Sequence, residues 1–399
     1  GAIGNPERAE KLLEDGKADY LLIARAAIAD NDWVNKVKAG HEEDIRPCLR
    51  CNLCLDHGRR KSKIQGKELV MASEVSFDRM CAVNPLSMQG AVKNRFPAPA
   101  RRKKIGVVGG GVAGIQAALD AAEGGVEVVM VERESTIGGK MAKLDKTFPT
   151  VDCSACILGP KMVDVAQHSN ITLYAYSEVE DISGYVGNFT VKIRKRTTYV
   201  DWNLCTGCGA CTEKCPAKKT PDTFNELTGN TTAITIAFPQ AIPKKAVINP
   251  QFCRQLLKGK CGVCAKVCPT GAIKYDMEDE VITEEVGSIV AATGYDLMDW
   301  TVYKEYGGGA YPDVITSLQY ERLLSASGPT GGHVKRPSDG REPKNIVFVQ
   351  CVGSRDKSVG RPYCSGFCCM YTAKQAILTK DHIPDSKSFV FYMDIRAPG

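Results

Sequence analysis

Ile105-Gly106-Val107-Val108-Gly109-Gly110-Gly111-Val112-Ala113-Gly114 is the stretch on which the fold turns. A four-residue apolar strand (Ile105–Val108) runs into a glycine loop. The loop opens an alanine-rich helix over about 112–124, and a second strand, Glu127–Val131, follows. This is a βαβ beginning with the spacing G-x-G-x-x-G, which in that context is a dinucleotide-binding fingerprint. Gly109 permits the tight turn, Gly111 lets the backbone approach a pyrophosphate, and Gly114 lets helix and strand pack closely. The helix N-terminus faces the phosphates. The second strand ends in Glu132, 18 residues past Gly114, where a carboxylate accepts hydrogen bonds from ribose hydroxyls.

Working outward, Ile137-Gly138-Gly139-Lys140 and Ile289-Val290-Ala291-Ala292-Thr293-Gly294 resemble two segments of the two-dinucleotide-domain flavoproteins: the glycine doublet after the ribose acid and the strand that closes the FAD domain. The resemblance implies FAD, with Gly138, Gly139, Thr293 and Gly294 at its site. The strand expected to open the second half, Ile346–Gln350, is followed by Cys351-Val352-Gly353-Ser354 and not by a second glycine fingerprint. No nicotinamide site is expected there.

The chain has 399 residues, enough for about two to four domains. It is 43% hydrophobic and 25% charged, the composition of a folded globular protein. No apolar run reaches a membrane span and no signal-peptide pattern opens the chain, which points to the cytoplasm. A net charge of +6 is mild over this length and makes no case for nucleic acid.

The informative number is 18 cysteines against five histidines. A chain of this size has core enough without a disulfide scaffold. Clustered thiolates with no histidine among them suit iron–sulfur clusters or zinc. Cys205-x2-Cys208-x2-Cys211-x3-Cys215-Pro216 has the spacing of a bacterial ferredoxin run. The second run, Cys253-x7-Cys261-x2-Cys264-x3-Cys268-Pro269, departs only at Cys253. In the crossed pattern of such pairs, one [4Fe–4S] cluster takes Cys205, Cys208, Cys211 and Cys268. The other takes Cys215, Cys253, Cys261 and Cys264.

Two groups flank this pair. Cys48-x2-Cys51-x2-Cys54 with Cys81 suits a cubane or a zinc ion. Its surroundings, including Ala24-Arg25-Ala26, Arg46-Pro47-Cys48 and Cys81-Ala82-Val83-Asn84-Pro85, resemble the old yellow enzyme relatives typified by 2,4-dienoyl-CoA reductase and enoate reductase. The resemblance covers about residues 1–140. Pro6–Gly16 has helical spacing, with Asn5 as N-cap and Gly16 as the stop, and Tyr20–Ala24 reads as a short apolar strand; the resemblance implies that 1–47 are the last units of an FMN-binding TIM barrel. Gly1 and Arg25 are then FMN-phosphate contacts, and 48–100 is a [4Fe–4S] segment.

The last group, Cys351-x12-Cys364-x3-Cys368-Cys369, fits no standard motif. Here Thr147-Phe148-Pro149-Thr150-Val151-Asp152-Cys153-Ser154-Ala155-Cys156 resembles the A subunit of soluble heterodisulfide reductases. So do the cysteine-rich insert and the run from Val349 through Cys364 to Cys369-Met370-Tyr371. That match runs from about 101 to 396. It implies that the four late cysteines hold an unusual [4Fe–4S] cluster. For Cys153 and Cys156, cluster ligation, a redox disulfide and buried thiols all stay open.

The expected fold is α/β. A FAD-binding domain (101–200, closed by part of 276–399) contains a ferredoxin-like insert (201–275) and precedes a degenerate second dinucleotide lobe. The resemblance implies an oxidoreductase subunit with FAD and about four [4Fe–4S] clusters, a branch point of electron bifurcation. Its partners would be other redox subunits and a ferredoxin, hydrogenase or dehydrogenase donor. The alternatives are the electron-supply portion of an NADH-dependent ene reductase and a non-catalytic redox wiring module. No residue is singled out as a general acid or base. Both ends look cut, so a fragment of a longer polypeptide is expected.

Overall fold

The computed structural model describes residues 5–19, 24–30, 32–45, 63–64, 67–68 and 103–397. The chain divides into two compact units, 1–100 and 101–399.

In the first unit, Asn5 caps helix α1 (Pro6–Glu14). Its side chain accepts from the Arg8 backbone N–H at 2.9 Å, and Pro6 stands where a helix needs no donor. Gly16 then turns the chain with φ +62. The strand expected over Tyr20–Ala24 has residues 20–23 outside the described part, and Ala24 instead opens helix α2 (Ala24–Ala29). Helix α3 (Trp33–Ala39) follows, and Ala9, Ala26 and Trp33 form a small apolar cluster. Strands β1 (Lys63–Ile64) and β2 (Lys67–Glu68) pair antiparallel.

The second unit is built on a six-stranded sheet. Strand β3 (Lys104–Val108) pairs in parallel with β4 (Val128–Val131), which pairs in parallel with β5 (Ile171–Tyr174). All four residues of β4 are buried, as expected of a strand covered on both faces. Helices α4 (Val112–Glu123) and α5 (Ser154–Gln167) make the crossovers. They bury Ile115, Leu119, Leu158 and Met162 against Val107 and Met130. Each such side chain, fully withdrawn from water, is worth roughly 1.5–3 kcal/mol.

The other half of the sheet is antiparallel. Strands β6 (Ser177–Tyr185) and β7 (Asn188–Lys195) form a hairpin. After β7 the chain leaves the sheet, and it returns as β12 (Glu280–Ala291). That strand pairs antiparallel with β7 and parallel with β3, giving the order β5-β4-β3-β12-β7-β6. The segment between β7 and β12 is therefore an insertion. It holds the two-residue strands β8 (Thr220–Pro221), β9 (Asn230–Thr231), β10 (Ile234–Thr235) and β11 (Val247–Ile248). Its short helices are α6 (Ala210–Lys214), α7 (Arg254–Lys258) and α8 (Val263–Val267).

The remainder is a single parallel pair. Strand β13 (Asn345–Val349) crosses through helix α10 (Cys368–His382) to β14 (Lys387–Phe391). Helix α9 (Ser317–Leu324) packs on α10, and Thr316 and Gln319 close a capping box at its start. Between α9 and α10 lies a buried polar network. Glu321 and Lys374 are each 2% exposed and paired at 2.8 Å. The fully buried Arg322 donates to Asn225 Oδ1, to the Lys143 carbonyl and to Ser327 Oγ.

Candidate functional site

The glycine loop at the end of β3 is held by contacts that leave no room for side chains, except at one position. A Cβ on Gly114 would lie 1.8 Å from the Gly109 carbonyl oxygen, and one on Gly109, with φ +105, 2.3 Å from the Ala292 carbonyl oxygen. A Cβ on Gly111 meets nothing within 4 Å. Its φ of −74 suits any residue, so the glycine there keeps space open above the N-terminus of α4.

Glu132 is 8% exposed and accepts from the Gly110 N–H at 2.6 Å and the Glu134 N–H at 2.7 Å. Burial pushes its carboxyl above the ordinary range, and the two backbone donors oppose that shift. Gly138 donates to the Gly110 carbonyl at 2.7 Å, and a Cβ on Gly139 would lie 2.9 Å from Gly111 Cα. The Ala292 N–H donates to the Val108 carbonyl, which sets Thr293 against Gly109 and places Gly294 next in the chain with φ +73. The structure thus gathers Gly109, Gly111, Gly114, Glu132, Gly138, Gly139, Thr293 and Gly294 around one cradle. Gly110 belongs there too, since its Cβ would strike Ile137 at 2.6 Å. The fingerprint left that position unspecified.

The open space above Gly111, facing a helix N-terminus, fits a dinucleotide pyrophosphate. Gly1 lies outside the described residues, and Arg25 is described only as part of the α2 backbone.

The insertion encloses two small spaces. One is lined by Cys205, Cys208, Cys211 and Cys268, the other by Cys215, Cys253, Cys261 and Cys264. Each run therefore lends its cysteine before proline to the other run's space. Left-handed Gly209 and Gly262 lead into α6 and α8, which carry Cys211 and Cys264 in matching places. Burial pushes the Cys211 thiol up to about 11 and raises that of Cys264, although the Tyr275 hydroxyl sits 3.0 Å from Cys264 Sγ. At Cys268 burial acts upward too. Hydrogen bonds from Thr270 and from backbone N–H groups outweigh it, and the thiol falls below its ordinary value. Four thiols around one space, with no histidine or carboxylate lining it, are a soft donor set that fits iron–sulfur ligation.

The late cysteines also converge. Cys351, at φ +61, follows β13, while Cys368 and Cys369 form the first turn of α10. Burial, together with the charges of Cys368 and Cys369, raises the Cys351 thiol, and Arg355 opposes the shift. Cys364 Sγ accepts from the Gly366 N–H, and Ser365 Oγ lies 3.6 Å from Cys368 Sγ. The adjacent pair 368–369 is accommodated because it starts a helix. Cys153 and Cys156 form a disulfide at the N-terminus of α5. Cys156 is exposed, which removes the buried-thiol reading. Cys48, Cys51, Cys54 and Cys81 lie outside the described residues.

The fold and cradle define a flavin-type dinucleotide-binding protein, and residues 105–230 match the family described as FAD dependent oxidoreductase. The curated relatives are A subunits of heterodisulfide reductases. The A subunit of the H(2):CoB-CoM heterodisulfide,ferredoxin reductase of Methanothermobacter marburgensis is 51% identical over 320 residues, covering 79% of this chain and 48% of its own. The second A-type iron-sulfur subunit of the CoB--CoM heterodisulfide reductase of Methanopyrus kandleri is 55% identical over 293 residues, covering 73% of this chain and 44% of its own. The A subunit of the Ferredoxin:CoB-CoM heterodisulfide reductase of Methanosarcina mazei is 45% identical over 396 residues, covering 98% of this chain and 48% of its own.

The last match reaches into the first hundred residues, where the resemblance to old yellow enzyme relatives implied a barrel end. The chain spans about half the length of the curated relatives it matches. These relatives are oxidoreductase subunits, and they favour neither the ene-reductase alternative nor the passive wiring module. Among solved structures, histamine dehydrogenase from Rhizobium sp. 4-9 is 26% identical over 44% of this chain and 25% of its own, with a TM-score of 0.26. No helix of the described residues is long and apolar enough to cross a membrane.

Proposed function

We propose that this chain is the FAD- and [4Fe–4S]-dependent electron-transfer part of a heterodisulfide reductase A-type subunit, working in the cytoplasm within a complex of redox subunits. The observation that carries the reading is one unit holding a dinucleotide cradle together with two four-thiol spaces. In this reading Gly109, Gly110, Gly111 and Gly114 admit the FAD pyrophosphate to the N-terminus of α4. Glu132 orients the ribose, and Gly138, Gly139, Thr293 and Gly294 line the remaining approach.

The cysteine sets Cys205/Cys208/Cys211/Cys268 and Cys215/Cys253/Cys261/Cys264 hold two [4Fe–4S] clusters in a ferredoxin-like insert. Cys351, Cys364, Cys368 and Cys369 hold a third, and Cys48, Cys51, Cys54 and Cys81 a fourth. When bound, the flavin supplies exchange between two-electron and one-electron chemistry, and the clusters supply one-electron conduction. The chain's own residues set separations and exclude water. The raised thiols of Cys211 and Cys264 give up their protons only on metal binding. The buried Glu321–Lys374 pair and Arg322 fix α10, and with it Cys368 and Cys369, to the loop 143–147 and the insert. The barrel-end reading of 1–47, with FMN at Gly1 and Arg25, belongs to the same proposal.

Iron, acid-labile sulfide and flavin on anaerobically reconstituted protein test this. About 16 iron per chain and one FAD are expected from four cubanes. About 8 iron with FAD would confine the clusters to the insert. Zinc in place of iron would end the reading, and FMN beside FAD would support the barrel end.

A further inference from the structure

We propose that Arg355 is a positioning residue that raises the reduction potential of the late cluster, the one assigned to Cys351, Cys364, Cys368 and Cys369, and that Asp394 opposes it. The proposal rests on the electron-transfer reading above and adds how one of its clusters is tuned.

Arg355 meets the late cysteines through three segments. Cys351 and Ser354 close a turn, the Ser354 N–H donating to the Cys351 carbonyl at 3.0 Å, and Arg355 follows directly. Its own backbone N–H donates to the carbonyl of Tyr363, the residue before Cys364, at 2.8 Å. Its guanidinium donates to the Cys351 sulfur and, through Nη1, to Asp394 Oδ1. The Asp394 carbonyl oxygen lies 3.9 Å from Cys369 Sγ, and Arg396 donates to both Asp394 carboxylate oxygens at 3.2 Å.

The backbone is strained to make these contacts. Cys351 and Arg355 both adopt left-handed conformations, φ +61 and +58, and neither is glycine. Such residues persist only where their surroundings impose the conformation, and they gather at functional sites. Stability does not account for the arrangement. The Arg355 and Asp394 side chains are 21% and 45% exposed, and ion pairs so open to water add little to a fold. What a guanidinium does supply is a permanent charge on a rigid fork of donors, able to serve a sulfur and a carboxylate together.

The sign of the effect follows from charge. Reduction adds an electron to a site that its four thiolates already make anionic. A fixed cation hydrogen-bonded to one of those sulfurs stabilises the reduced form more than the oxidised one, and so raises the potential. The Asp394 carboxylate acts in the opposite sense. The sulfurs of Cys264 and Cys268 in the insert meet neutral groups instead: the Tyr275 hydroxyl, and the Thr270 hydroxyl with the Ala272 N–H.

The test is a redox titration of the intact, iron-reconstituted chain followed by electron paramagnetic resonance. The late cluster's signal is identified as the one abolished in C351A/C364A. Arg355→Gln should lower the equilibrium constant for its reduction about tenfold, which is about 59 mV for one electron. Asp394→Asn should raise it about threefold, and Arg355→Lys, which keeps the charge, should stay within about threefold of the parent. The signals of the insert should not move in any of the three. A purely structural role for Arg355 would not shift a potential, and would not give opposite signs in Arg355→Gln and Asp394→Asn.

An unmoved late signal in Arg355→Gln overturns the proposal. So do shifts of the same sign in Arg355→Gln and Asp394→Asn, or a shift in Arg355→Lys as large as in Arg355→Gln. If Arg355→Gln loses the late signal, Asp394→Asn decides, and a potential at or below the parent's overturns the proposal. Iron is counted on every sample. A parent chain with no signal sensitive to C351A/C364A overturns the late-cluster reading and this proposal with it, whereas a signal present but unmoved overturns this proposal alone.

Discussion

Gly111→Ala and Gly114→Ala differ by one methyl at two positions of the same loop, and the structure assigns them opposite consequences. At Gly114 the new Cβ would lie 1.8 Å from the Gly109 carbonyl oxygen and 3.4 Å from Ala292 Cβ. The first contact is with backbone, so α4 must separate from the β3 loop. Forced overpacking of this kind costs about 1–3 kcal/mol or more. At Gly111 the Cβ meets nothing within 4 Å, and the backbone at φ −74 accepts alanine without strain. The fold loses only the small preference for glycine over alanine at a helix N-cap, under about 1 kcal/mol.

The methyl of Gly111→Ala does, however, fill the space we assign to the pyrophosphate. Loss of one or two close charge-assisted contacts there is worth roughly 1.5–3 kcal/mol, or about 10- to 100-fold in FAD affinity. The assay is paired: melting of flavin-free protein, and FAD retained on gel filtration against added FAD. Gly111→Ala should melt within about 2 °C of the parent yet release its flavin. Gly114→Ala should lose both stability and flavin. An intact FAD affinity in Gly111→Ala would refute the placement of the pyrophosphate. A parent-like melt in Gly114→Ala would refute the packing argument.

Three further outcomes follow from particular contacts. Glu132 is raised by burial, so its contribution to the stability of the flavin-free fold is present in full below its ordinary value of 4.5 and is lost as pH rises through the raised one. Ribose hydroxyls would relieve that cost. The gap in melting temperature between flavin-bound and flavin-free protein should widen as pH rises from about 4.5, and Glu132→Gln should flatten it. Tyr275→Phe removes a hydroxyl 3.0 Å from Cys264 Sγ. Iron content should hold, while one cluster becomes harder to reduce in a redox titration; unchanged potentials would place that hydroxyl outside any cluster's influence. Lys374→Met strands Glu321 at 2% exposure, and urea unfolding should show a loss of about 3–5 kcal/mol. The double change with Glu321→Met should recover much of it.

Much of the site was legible because its chemistry is local. The glycine turn, the strand before it and the acid after it lie within 30 residues, and each is dictated by what a tight turn or a close backbone approach demands. The cysteine spacing carried the crossed arrangement as an expectation, since thiols with two residues between them wrap one corner of a cluster and the one before proline points away. Other features were less legible. The segment Ile289–Gly294, expected as the strand that closes the FAD domain, holds only the end of β12, whose first half, Glu-Val-Ile-Thr-Glu-Glu, owes its pairing to β7, some 90 residues earlier. Of the apolar strand expected over Tyr20–Ala24, residues 20–23 lie outside the described part, and Ala24 opens a helix.

The sequence by itself determined the dinucleotide loop, the groups of thiols and the periodicity of the strands and helices that carry them. Each of these rests on steric or coordination demands met by near neighbours in the chain. Only the tertiary structure decided that Ser317–Leu324, which carries two charges among its eight residues, is a buried hub. Glu321 and Arg322 survive burial because Lys374, Gln375, Asn225 and the backbone of Lys143 and Asp145 reach them from 53 to 179 residues away. A charge is tolerated in an interior only when its partners arrive from elsewhere in the fold, and no local stretch of sequence records their arrival.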